Sequence, residues 1–188
     1  MNAEKAHAVD GAAAQIARLM AVAEALGIKG TYHVECRDAH GALKWADKID
    51  NVVTTVGKND ILDKYLAGSA YTAAIVMALK GTGTAVAGDT MASHAGWSEV
   101  GGTNAPAYSG NRPTPSFAAA SAGSKATSAA VSFTFTSAGT VAGCFIVSAG
   151  SATKDNTTGV LLSAGDFSGG SKTVAISDTL QVTYSLAL

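Results

Sequence analysis

"TLQVTYSLAL", residues 179–188, alternates apolar and polar side chains along its whole length, with Leu180, Val182, Tyr184, Leu186 and Leu188 on one side of an extended chain. Successive side chains of a strand point to opposite faces, so period two marks a strand with one face in a core. The same pattern recurs upstream. In "VSFTFT" (131–136) Val131, Phe133 and Phe135 face one way and Ser132, Thr134 and Thr136 the other. "SFAAA", "TVAGCFIVS", "GVLLS" and "KTVAIS" add further short apolar runs separated by Gly, Ser and Asp turns. Short strands at this spacing predict an antiparallel sandwich.

Nearer the N-terminus, "TYHVEC" (31–36) puts Tyr32, Val34 and Cys36 on one face, and "RDAHG" turns the chain into "ALKWADKI", which together predict a β-hairpin. "NVVTTVG" is read as continuing the sheet. "KNDILDKYLAGS" predicts a short helix capped by Asn59 or Asp60, with Ile61, Leu62, Tyr65 and Leu66 as its apolar side and Gly68 as its stop. "YTAAIVMAL" (71–79) suits a central strand, with a buried helix as the alternative. Residues 80–116, with "KGTGTAVAGD", "GGTNAP" and "YSGNRPTP", read as loops.

Residues 12–26, "AAAQIARLMAVAEAL", space Ile16, Leu19, Met20, Ala23 and Leu26 as one stripe of an amphipathic helix, with Gln15, Arg18 and Glu24 off it. About four turns are marginal alone in water, so the stripe must pack on its own domain, on a sister helix or on a partner. The expected fold is therefore mainly β: an antiparallel β-sandwich, jelly-roll or immunoglobulin-like, with an N-terminal amphipathic helix and one short internal helix. The expected division is 1–30 as an attachment arm and 31–188 as a β-rich domain, with a candidate subdivision near 100–115.

Of the 27 charged residues, 20 lie at or before Glu99 and 7 after it, and charged residues make up only 14% of the chain. Ordinary globular chains carry about 25%. So uncharged an exterior favours association, which predicts an assembled protein rather than a free monomer. The net charge is −1 with no Lys/Arg cluster, which argues against nucleic acid as a partner. No apolar run reaches membrane-spanning length, and "MNAEKAHAVDG" lacks the basic start of a signal peptide, so synthesis in the cytoplasm and no membrane partner are expected. Cys36 and Cys144 have no metal-like spacing and read as small buried hydrophobes.

Three stretches suggest chemistry. "HVECRDAH" gathers His33, Glu35, Cys36, Asp38 and His40, but on a strand Cys36 points away from His33 and Glu35, so three ligands do not converge. "KGTGTAVAGDT" has neither dinucleotide nor Walker spacing. In "ASHAGW" (92–97) Ser93 and His94 are sequence neighbours, which on extended chain point apart and make no nucleophile and base pair. "NTT" (156–158) matches a glycosylation pattern but reads as a turn. No catalytic constellation, cofactor site or metal site is expected.

The stretches "NVVTTVGKNDILDKYLAGSAYTAAIVMALKGTGT", "AGDTMASHAGWSEV", "YSGNRPTPSFAAASAGS", "GTVAGCFIVSAG" and "LLSAGDFSGG…DTLQVTYSL" resemble a group of small virion structural proteins of tailed bacteriophages, from about Thr31 onward. The resemblance implies a non-enzymatic virion component. The expected role is capsid decoration or cement, as a homo-oligomer, a trimer in the simplest case, bound to the major capsid protein or other virion proteins. The alternative is a tail or fibre component, including a receptor-binding tip. The stripe residues named above are the expected attachment interface, and His94, Trp97 and Tyr108 the candidate loop contacts.

Overall fold

The computed structural model of the chain describes residues 27–68, 70 and 74–187. The expected N-terminal helix, with Ile16, Leu19, Met20, Ala23 and Leu26, lies outside the described residues, as does Leu188.

β1 (Lys29–Arg37) and β2 (Leu43–Val53) form the expected hairpin. The Asp38 carboxylate closes its turn by accepting the amides of His40 and Ala42, each at 2.9 Å. Tyr32, Val34 and Cys36 are buried and alternate with more exposed neighbours, as period two requires. β11 (Thr179–Ala187) runs antiparallel beside β1 with Tyr184 opposite Tyr32, Val182 opposite Val34 and Leu180 opposite Cys36. β6 (Val131–Thr134) extends these rows, Phe133 meeting Leu180 and Val131 meeting Val182.

α1 (Thr55–Leu66) begins earlier than the sequence suggests. "NVVTTVG" divides: Asn51–Val53 ends β2, Thr54 caps the helix by accepting the amide of Gly57 at 3.0 Å, and its hydroxyl donates to the carbonyl of Leu161. Thr54, rather than Asn59 or Asp60, is therefore the cap, because β2 delivers it to that point beside β9. Gly68 follows the helix with φ +67°, a left-handed conformation that glycine adopts without steric cost.

The second half of the sheet comprises β3 (Val76–Lys80), β4 (Glu99–Val100), β8 (Gly143–Ser148) and β9 (Val160–Asp166). β3 and β8 are buried at every residue, which fits their unbroken apolar runs and a central place in the sheet. β5 (Ser124–Ala126) pairs with β11, and β7 (Gly139–Val141) with β10 (Lys172–Val174). "SFAAA" contributes only an isolated bridge, Phe117 with Thr127, while Ser124–Ala126 forms a strand that no alternation announced.

Among the described residues every strand pairing is antiparallel, and the main sheet runs β4-β3-β8-β9-β2-β1-β11-β5, with β6 also on β11. β2 joins the halves: its first part pairs with β1, and Val52 and Val53 pair with β9. The larger core draws Tyr32, Val34 and Ile49 from one half and Met77, Leu79 and Ile146 from the other. A second cluster, Val76, Ala78, Phe145, Val147 and Ala164, lies on the other face of β3, β8 and β9, where Ala85, Met91 and Trp97 of the 81–98 loop cover it.

Candidate functional site

The long loops converge on Glu99 and Arg112, which is where the "ASHAGW" and "YSGNRP" stretches meet. β4 carries Glu99 inward, directly opposite Lys80 of β3. The Arg112 side chain is fully buried and holds Glu99 in a fork, Nε to Oε1 at 2.9 Å and Nη2 to Oε2 at 2.5 Å. Its remaining contacts donate to the carbonyls of Ser151 at 3.0 Å and Asn156 at 2.8 Å. A buried guanidinium is tolerated only when its charge and its donors are met, and here they are met by a carboxylate and two carbonyls. The pair therefore clasps residues 99–112 to the 149–159 loop.

Asp155 extends the clasp: its amide donates to Glu99 Oε2 at 2.9 Å and its carboxylate accepts the amide and hydroxyl of Thr103 at 2.7 and 2.9 Å. Lys154 donates to the carbonyls of Gly101 and Tyr108 and lies 3.9 Å from the Tyr108 ring centroid. Burial draws the Lys154 ammonium below its ordinary value, against the raising pull of Glu99 and Asp155. Burial, then the charge of Glu99, pushes the Tyr108 phenol upward.

A cleft of about 410 Å³ opens beside this clasp, with His94 and Trp97 on its other wall. Trp97 Nε1 donates to Asp89 Oδ2 at 2.8 Å, the His94 ring stacks on the indole at 4.1 Å between centroids, and His94 Nδ1 donates to the Trp97 carbonyl at 3.0 Å. His94 is thus engaged with Trp97, while the Ser93 amide bonds Thr90. Trp97 and Tyr108 are 5% and 3% exposed, so neither offers a broad face to an outside ligand; His94 is half-buried.

Lys80 and Asp166 form a second loop clasp. Gly143 lies between them in the register of β3, β8 and β9, and the Lys80 ammonium crosses that row to the Asp166 carboxylate. Lys80 also donates to the Gly83 carbonyl at 2.6 Å, and Asp166 Oδ2 accepts the Ala85 amide at 3.1 Å. Lys80 is a nearly invisible polar residue in an apolar run, readable as buried only once its partner across two strands is known.

The residues of "HVECRDAH" separate as strand geometry requires. His33 is exposed, Glu35 pairs with Arg37 at 2.5 Å, and Cys36 is buried on the opposite face. Burial, then the charge of Asp178, pushes the Cys36 thiol up to about 11, and burial likewise raises Cys144; both are free thiols. "NTT" is a turn in which the Asn156 side chain accepts the amide and hydroxyl of Thr158.

A third feature lies away from the loops. α1 turns Val56, Gly57, Asp60, Ile61 and Lys64 inward over β9, a spacing that defines one helical face, and Lys64 binds both Asp60 oxygens at 2.6 and 2.7 Å. The sequence places Ile61, Leu62, Tyr65 and Leu66 on one apolar side, but only Ile61 turns inward. Leu62, Tyr65 and Leu66 are 51%, 86% and 74% exposed. Beside them a largely apolar groove of about 450 Å³ runs between α1 and the ends of β9, β5 and β11. Its walls include Ile75, Phe117, Leu162 and Leu186, each half-buried against the core.

No known protein-family model matches the chain, and no curated protein matches it.

Proposed function

We propose that this chain is a structural protein of a tailed-bacteriophage virion, a homo-oligomer that decorates the outside of the head and stabilises it. The observation that carries this is the exposed apolar face of α1, Leu62, Tyr65 and Leu66, on a chain of only 14% charged residues. Large apolar side chains grouped on a helix and bordered by a groove are suited to contact with another protein. The resemblance of the quoted sequence stretches to small virion proteins points the same way.

The mechanism is thermodynamic linkage. A protein that binds the assembled lattice and not its separated subunits raises the free energy needed to break the lattice. Symmetric copies, a trimer in the simplest arrangement, would bridge neighbouring capsid subunits through the surface made by residues 1–30 and the outer face of α1. The role is structural rather than catalytic, with the virion as its location after synthesis in the host cytoplasm. Within this proposal the two halves of the sheet are the layers of a jelly-roll or immunoglobulin-like sandwich, joined at β2. The burial of Trp97 and Tyr108 favours the head over a glycan-binding tail tip, because stacking on a sugar needs an open ring face.

Counting copies per particle tests this directly: hundreds support decoration, and a handful overturn it in favour of the tail. Removing residues 1–28 is expected to weaken binding to heads, and undiminished binding would remove the arm from the attachment surface.

A further inference from the structure

We infer that the groove between α1 and the ends of β5, β9 and β11 is the seat of this chain's own residues 12–26, with the stripe Ile16, Leu19, Met20, Ala23 and Leu26 laid into it. The path of the chain is the first reason. Lys29 pairs with Ala187 and Gly30 with Leu186, a groove wall, and the hydroxyl of Tyr184, another wall residue, packs against Gly30. Only Gly27 and Ile28 separate Leu26 from Lys29. Three peptide steps span at most about 11 Å, so the end of the stripe reaches no surface far from Leu186.

Surface chemistry is the second reason. Ile75, Phe117, Leu162 and Leu186 stay half-buried around the groove, an apolar surface of the kind an amphipathic helix covers. The rim carries Lys125 beside Leu186 and Asp60 on α1. A segment of about four turns that is marginal alone gains its partner here. This inference stands on the fold and does not depend on a virion role. Where it holds, the stripe belongs to the domain, and attachment falls to the outward side of residues 1–26 together with α1.

Photo-crosslinking of the purified full-length chain, without particles, tests it. A benzophenone amino acid replaces Leu19 in one preparation and Arg18, on the opposite side of the helix, in another, in equal mixtures of isotope-light and isotope-heavy chains. The expected products join position 19 to peptides containing Phe117, Leu162 or Leu186 within one isotope class, with position 18 giving none. Mixed-isotope products would mean that a second copy fills the groove, and no groove product would mean that the stripe lies elsewhere; either overturns the inference. Leu19→Asp supplies an independent reading by hydrogen exchange. Loss of one buried leucine corresponds to about a tenfold shift in seating, so exchange at Leu186 and Lys125 is expected to speed up about tenfold while β1 and β8 stay protected. Unchanged exchange at those two amides would also overturn it. Failure of either experiment leaves the decoration proposal standing, since no head is involved.

Discussion

Arg112 decides how the loops above the second cluster are held. Its side chain is fully buried and four of its contacts go to Glu99, Ser151 and Asn156. Removing one member of a buried pair strands the other, a loss of about 3–5 kcal/mol. Arg112→Met is therefore expected to lower unfolding free energy by about that amount in urea titration, whereas a surface pair such as Lys48 with Asp50 should change it by less than about 1 kcal/mol. Cys36 sets a limit at alkaline pH. Its thiol is raised from 9.0 to about 11 in the folded chain, so folding resists its ionisation. The associated stability is complete below pH 9, where both states keep the proton, and is lost as pH rises toward 11. The unfolding free energy should fall by up to about 1.4 kcal/mol per pH unit through that window on account of this group. In Cys36→Ala that part of the slope should vanish, which denaturation at pH 8, 9, 10 and 11 would read.

At the scale of elements, α1 shows how a backbone contact overrules a side-chain pattern. A Cβ on Gly57 would lie 2.5 Å from the Leu162 carbonyl oxygen and 2.9 Å from its Cα. Gly57 therefore brings the helix against β9, and this turns Asp60 and Lys64 inward and Tyr65 and Leu66 outward. Gly57→Ala should gain about 1 kcal/mol of helix propensity yet destabilise overall, because the overpacking cost of about 1–3 kcal/mol falls on backbone that cannot yield. A rise in thermal unfolding temperature for Gly57→Ala would contradict this packing. The alternation in β1, β6 and β11 was legible beforehand because each strand has one face in the core. β5 was not, since Ser124–Ala126 is an edge segment held by backbone pairing to β11.

Across the whole molecule, β2 ties two groups of strands into one sheet, and the core residues of both groups meet. Strands from either side of residues 100–115 pair with each other, β1 with β11 and β3 with β8. Among the described residues, three of the six large exposed apolar side chains, Leu62, Tyr65 and Leu66, share one face of α1, while Leu43, Val86 and Ile176 lie apart from them, and association is expected to run through the α1 group. Tyr65→Ser combined with Leu66→Ser should lower the oligomer fraction in sedimentation velocity without lowering the unfolding midpoint, because both side chains are already largely exposed. An unchanged oligomer fraction would place the self-contact elsewhere.

The sequence by itself determined the β class, the hairpin within residues 31–49, the inward faces of β1, β6 and β11 and the approximate place of the short helix, because each depends on periodicity within one segment. Only the tertiary structure decided that Thr54 caps α1, which way that helix turns, and that Lys80, Glu99 and Arg112 are buried. These depend on partners far apart in the chain: Leu162 sits over Gly57, Asp166 reaches Lys80 across Gly143, and Asn156 closes on Arg112. Local spacing carries no record of such distant contacts, and the candidate site is made almost entirely of them.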